Sequence, residues 1–478
     1  MKNKILIIIL FVFGFLSSCT SKFEEYNKDT KNPIEVPGTY VFTHAQYLMN
    51  YHLTISNVNV GIFNLMAQYI TETTYIDEAN WDLANRRIPD NFSRRIYYDL
   101  NELKIAKELI EKEVVAGEGP IAEKNNKMFI IDILQAYLWQ VLVDIFGDVP
   151  YTEALNPINT LPKYDNDETI YADLISKVQA AYNGFNDTYG SFGDADLIYG
   201  GDVASWKKFA AGLLIKLAIT SWDANPNDSK TIIETYYNKT FASLSEGTYF
   251  PFQATSPYQN PLYEDFVASG RKDFVVCQTL LSQMEDYDPR LYKYGQDYER
   301  DTNNKIINGG IYGKSNNYPT GAHISDKILA PDFNGFLLTY DEILFYLAEA
   351  ASRGANVGKT ASELYADAIA ASFEYWTGST DSLSDYLTKR PYVDIKSIAK
   401  ESWIAMYMRG LIGWTTYRRV DGAFNLVVPD DNTPGLSVVP TRFFYPINEQ
   451  TLNNSNWAAA ANEMGGDLLT SKIFWDKY

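Results

Sequence analysis

The chain has 478 residues, 46% of them hydrophobic and 21% charged, with 36 tyrosines, 9 tryptophans and a formal net charge of −19. Such a composition provides for a sizeable globular core, and its acidic balance excludes nucleic acid as a partner, because phosphate binding needs basic patches. Only two cysteines and three histidines are present, too few for a disulfide framework or a cysteine-built zinc site.

The first 18 residues read as a leader. Lys2 and Lys4 form a basic start, and Ile5 to Leu16 is an apolar run of 12 residues, too short for a stable membrane span. It ends in Leu16-Ser17-Ser18-Cys19, which resembles a bacterial lipobox, so Cys19 is the expected lipidation site and the expected start of the mature chain. Without the two leader lysines, 39 basic residues face 60 acidic ones. Acyl chains on one residue give durable anchoring, at about 0.8 kcal/mol per buried methylene. Residues 19–38 are polar, carry Pro33 and Pro37, and read as a tether. Glu24-Glu25 resembles a surface-export signal of Bacteroidetes lipoproteins. Residues 39–478 are expected to form one globular body, since no low-complexity linker divides them.

From Tyr40 to about Ala79 the periodicity predicts one or two helices. Thr74 to Asn91 is a loop dense in Asn, Asp and Arg, broken by Pro89, and a helix follows through Leu100, Leu103, Ala106 and Ile110. In the loop, Tyr75 and Trp81 stand among Asp77, Asn80, Asp82 and Asn85. Sugars need that pairing: aromatic faces for the apolar side of the ring, carboxylates and amides for the hydroxyls. Covering roughly 50 Å² of sugar contributes about 1 kcal/mol per ring. Tyr75, Asp77, Asn80, Trp81 and Asn85 are therefore candidate ligand contacts, with packing of Trp81 onto the scaffold as the competing reading.

Met128 to Phe146 reads as a buried core helix, with an uncharged stretch from Ile133 to Val143 too short to span a bilayer. Asp165, Asp167 and Glu168 sit at the mouth of the next helix; they lack the EF-hand spacing and read as helix capping. The glycine-rich loop 190–205 has no Lys-Ser or Lys-Thr and is no phosphate loop. Between Phe250 and Gly335 loops dominate, and Tyr258, Tyr312 and Tyr318 stand there among Gly, Asn and Pro; aromatics on long loops over a rigid body make these three further candidates.

Leu337 to Phe424 carries the most regular pattern. Three runs, LLTYDEILFYLAEAASRG, ELYADAIAASFEYWTG and SIAKESWIAMYMRGLIGWTTYRRV, repeat apolar residues at helical spacing, and the first two stop at Gly354 and Gly378. Small residues such as Ala348, Ala351 and Ala368 allow close helix approach. The expected class is mostly α: a tetratricopeptide-like helical-hairpin scaffold with an intermixed loop-rich ligand-binding region and few short strands.

Several stretches together resemble the SusD/RagB family of Bacteroidetes outer-membrane lipoproteins, and more closely its second, SusD-like subgroup. They are the lipobox with the tether FEEYNKDTKNP, VDIFGDVPYTEAL at 143–155, DYDPRL at 286–291, LTYDEILFYLAEAASRG at 338–354, YADAIAASFEYW at 365–376 and ESWIAMYMRGLIGWTTYRRV at 401–420. RFFYPINEQTLNNSNW and the closing KIFWDKY complete the set. Two departures are Ala211 and Lys216, where related sequences tend to carry Asn and Arg, and VDGAF after Tyr417-Arg418-Arg419, where a Thr-Gly turn is usual.

The resemblance implies nutrient capture at the cell surface, without catalysis, as the lid of a SusC-like TonB-dependent transporter. It implies a glycan ligand, with peptides for RagB-type members; the residues themselves show no cofactor motif and no metal-ligand spacing. The alternative from another class is a surface glycoside hydrolase, which requires two carboxylates roughly 5 to 9.5 Å apart.

Overall fold

The computed structural model describes residues 36–477. The expected leader, the expected lipidation site Cys19 and the expected tether up to residue 35 lie outside the described residues. The body is built from consecutive helices that pack on their chain neighbours. They are α1 (Gly38–Thr54), α2 (Ile88–Glu111), α3 (Glu118–Phe146), α4 (Asp167–Gly184), α5 (Val203–Thr220) and α6 (Pro226–Tyr236), followed after a long irregular stretch by α7 (Tyr340–Ser352), α8 (Ala361–Thr377), α9 (Ile395–Ala405) and α10 (Gly410–Arg419). Each of α1 to α6 packs on the next, α7 pairs with α8, and α7 also packs on α5 and α9. This is the helical-hairpin scaffold expected from periodicity.

Local chemistry sets the helix ends. Thr360 and Glu363 form a reciprocal capping box on α8, each side chain accepting the other's backbone N–H, and Gly378 closes the helix in the left-handed region at φ 73°. Asp202 caps α5 by accepting from Ala204 and Ser205. At α4 the cap is Asn166, which accepts from Thr169, and the neighbouring acids serve elsewhere. Asp165 accepts from the backbone of Tyr151 and Thr152, and Asp167 accepts from the N–H of Phe474, tying the C-terminal tail to the scaffold.

Two helix boundaries differ from the sequence reading. Pro89 begins α2 instead of breaking the preceding segment, because a proline in the first turn has no N–H that the helix requires. The third periodic run is two helices, α9 and α10, interrupted where Met408 takes φ 63°. Gly410 there lies so close to the backbone of Phe63 that an added Cβ would stand 2.2 Å from its carbonyl carbon. The break also turns Arg409 inward, where it meets Asp341 at 2.9 Å.

α3 is long and apolar enough to cross a membrane, but most of that stretch is buried inside the body, as expected of a core helix. Arg418 on α10 is sandwiched between Trp414 and Trp475 and donates to the backbone oxygens of Asp144 and Thr441. Its neighbour Arg419 pairs with Glu349 at 2.9 Å. Lys216 is buried and pairs with Glu342 at 3.2 Å, so its departure from the usual arginine retains a cation at that place.

The irregular half supplies the strands β1 (Ile70–Glu72), β2 (Thr248–Phe250), β3 (Phe274–Val276), β4 (Gly295–Gln296), β5 (His323–Ile324) and β6 (Gly335–Leu338). They form three two-stranded antiparallel sheets, β1–β3, β2–β6 and β4–β5. The first matters most here. Glu72, opposite Phe274, is its last residue on β1 and the root of the loop that carries most of the candidate ligand contacts.

Candidate functional site

The loop from Thr73 to Arg87 has three bulky residues in the left-handed region: Tyr75 at φ 56°, Trp81 at φ 62° and Arg87 at φ 52°. Each such conformation costs about 1–3 kcal/mol and persists only where the surroundings over-determine it. The restraints are specific. Glu72 accepts from the N–H of Ala79 at 3.0 Å, and Asp82 donates to the carbonyl of Asp77 at 2.9 Å. Glu78, buried, makes an ion-pair contact with Arg86. From a distant loop Asn316 donates to the carbonyls of Glu72 and Thr73, and from a third loop Thr433 donates to that of Asn80.

This framework sorts the predicted contacts into two groups. Trp81, Tyr312 and Asn80 are corrected: all three are interior. Trp81 is 2% exposed and donates through its indole N–H to the Tyr312 hydroxyl, itself 3% exposed. Asn80 uses its amide on the carbonyls of Ile76 and Gly313. None of the three offers a face to a ligand; they hold the loop to the 311–318 segment.

Tyr75, by contrast, is 73% exposed. Arg86 lies 5.9 Å from its ring centroid, and its chain neighbour Asn85 donates to Asp77 at 3.1 Å. An open aromatic ring beside an exposed amide–carboxylate pair is the arrangement that stacking and hydroxyl recognition require. Tyr318 is half-buried, stacked on His323 at 4.2 Å with Lys272 over the ring at 5.1 Å. The backbone of Lys272 accepts from Thr73, which places this second aromatic at the root of the same loop. Tyr258 belongs to another patch: its ring meets Tyr47 of α1 edge-on at 5.0 Å.

Beneath the loop, Glu72 and Glu78 are both buried. Burial and the facing Glu78 carboxyl push Glu72 up to about 10, and burial also raises Glu78. The pair therefore holds a proton at neutral pH and is sealed from any substrate path. Among the described residues, no three of His, Cys, Asp and Glu converge with metal-binding geometry.

Sequence reasoning missed a cleft of about 630 Å³ at the far end of the same loop, lined among others by Asn85, Arg87, Arg94, Tyr97, Tyr164 and Tyr445. Its walls come from three segments far apart in sequence, so periodicity gave no signal of it.

Fold and loop together define a class: a helical-hairpin scaffold that displays aromatic and amide groups on strained, cross-tied loops. The chain belongs to the SusD-like family, second subgroup, whose model is described as starch-binding associating with outer membrane and matches residues 30–446. Solved structures share the fold. A chitin-binding protein superposes with a TM-score of 0.78 at 21% identity, covering 92% of this chain and 100% of its own. A SusD homologue from Bacteroides uniformis gives 0.76 at 20% identity, with 92% and 100% covered. A chitin-binding SusD homologue from Flavobacterium johnsoniae gives 0.72 at 20%, with 91% and 97% covered. No curated protein matches the chain.

Proposed function

We propose that this protein is an oligosaccharide-binding lipoprotein of the outer membrane, facing the cell exterior and held through Cys19. In this reading it captures glycan and passes it, without catalysis, to a SusC-like TonB-dependent transporter that it covers as a lid. The observation that carries the proposal is the exposed Tyr75 ring beside the Asp77–Asn85 pair, on a loop whose conformation is held from below by Trp81 and Tyr312. A pre-held aromatic platform loses little conformational entropy on binding, which favours capture of sugars. Family membership and the chitin-binding character of two fold relatives support the ligand class.

The expected tether counts 20 residues, Cys19 to Gly38, and a coil of that length has a typical reach of roughly 25 Å. That keeps the local concentration over a pore high, so modest affinity suffices for uptake. The test has two arms. Detergent extracts are expected to yield the protein together with a TonB-dependent transporter, and titration with chito- and malto-oligosaccharides is expected to saturate with polymer length unchanged after incubation. Absence of a transporter partner, together with unchanged uptake when the protein is missing, overturns the lid role. Shortening of the oligosaccharide overturns the non-catalytic reading.

A further inference from the structure

The 630 Å³ cleft lies between the start of α2, the segment after α3 and the segment 445–452. Its volume is that of a small-molecule site. Three arginines line it within nine residues: Arg86, Arg87 and Arg94. Arg86 is matched by buried Glu78. Arg87 donates to Asp90 and Asn448, and Asp90 is fully engaged, since its oxygens also accept from the backbone N–H groups of Ile447 and Asn448. Glu449 accepts from Tyr164 and Asn453 through one carboxylate oxygen. Arg94 is exposed, and among the described residues no carboxylate pairs with it. The cleft thus combines a free guanidinium with tyrosine walls, Tyr97 and Tyr164, both half-buried. Arg87 and Leu155 both line it with left-handed backbone, at φ 52° and 58°.

We propose that this cleft is a second carbohydrate subsite, selective for a sugar unit bearing an anionic group, a carboxylate or a sulfate ester. Arg94 supplies the fork of donors that such groups accept in pairs, and Tyr164 or Tyr97 supplies an apolar face for the ring. The chain's net charge of −19 does not oppose this, because at physiological ionic strength charges beyond about 8 Å are screened and the local cation decides. The proposal rests on the glycan reading above; the cleft adjoins the loop at Asn85 and Arg86, but Tyr75 itself does not line it.

The experiment compares four probes on the whole mature protein: a galacturonic acid tetramer, a uronate-free sulfated carrageenan tetramer, maltotetraose and chitotetraose. At least one anionic probe is expected to bind. Arg94→Ala is expected to weaken it about tenfold and Arg94→Glu to abolish it, while Tyr75→Ala leaves it unchanged. Which of the two anionic probes binds identifies the anion. Arg94 is exposed, so both variants are expected to keep the wild-type Tm. The proposal is overturned if neither anionic tetramer binds, if Arg94→Ala binds as wild type, or if Tyr75→Ala removes binding and so places the ligand on the loop. Failure here with neutral glycan binding intact leaves the function proposed above standing; failure of all four probes overturns both.

Discussion

The indole N–H of Trp81 donates to the hydroxyl of Tyr312 at 3.1 Å across 231 residues of chain, and both rings are sealed from solvent. This contact turns two aromatic candidates into the pin that fixes the loop beneath Tyr75. It divides the loop's aromatics by exposure: Trp81 packs inside, and Tyr75 is left open for the proposed ligand role.

The first prediction separates those roles. Trp81→Ala is expected to cost about 3–5 kcal/mol of stability, the range for emptying a buried aromatic site, and to lower Tm markedly. Tyr75→Ala is expected to leave Tm nearly unchanged and to weaken glycan binding by about 1 kcal/mol. Thermal melts and titration calorimetry of the two variants check this. A stable Trp81→Ala variant with lost binding would reverse the assignment.

A second prediction concerns DYDPRL. Arg290, fully buried, donates twice to Asp288, at 2.9 and 2.7 Å, and to Glu401 at 3.0 Å, with the Tyr386 hydroxyl in the same network. Arg290→Met leaves Asp288 without its cation in the interior, while Glu401 keeps Arg390 at 2.8 Å, and breaking such a buried pair costs about 3–5 kcal/mol. Urea unfolding is expected to show an unfolding free energy lower by that much, with a lower midpoint, or no folded protein; a midpoint within error of wild type refutes the account.

Stability should also fall as pH rises. Glu72 is pushed up to about 10 by burial and by Glu78, Asp148 to about 7 by burial and by Asp167, and Asp476 to about 6 by burial. A carboxyl raised above its unfolded value binds its proton more tightly in the folded state. Its stabilisation is full below the unfolded pKa of about 4 and is lost as pH rises through the folded one. The three groups together predict declining stability from about pH 4 upward, continuing to about pH 10 through Glu72, at no more than about 1.4 kcal/mol per pH unit for each proton. Glu72→Gln, which keeps the shape without the titration, is expected to flatten the decline above pH 7. Parallel denaturation curves for both proteins at pH 7 and 9.5 would show the idea to be wrong.

The anchor gives a fourth test. Cys19→Ala is expected to fold as wild type and to leave the membrane fraction for the soluble one. Continued sedimentation with outer membranes after a salt wash rules out lipid anchoring at Cys19.

Sequence by itself determined the helical scaffold, the three aromatic- and glycine-punctuated runs of its C-terminal half, and the family. These are legible because helix periodicity, caps and glycine stops act over a few residues. It also located the loop of Tyr75, Asp77 and Asn85. Tertiary structure alone decided which members of that loop face solvent. Trp81 and Tyr75 share residue class, neighbours and even left-handed backbone, yet one is covered by Tyr312 and the other is not. The break between α9 and α10 was illegible for the same reason: Gly410 is required by the backbone of Phe63, more than three hundred residues earlier in the chain. The arginine-lined cleft, too, exists only because segments at 85–97, 149–164 and 445–452 converge. Burial is a property of what packs on a residue, and that partner is set by the fold rather than by the residue's own neighbours.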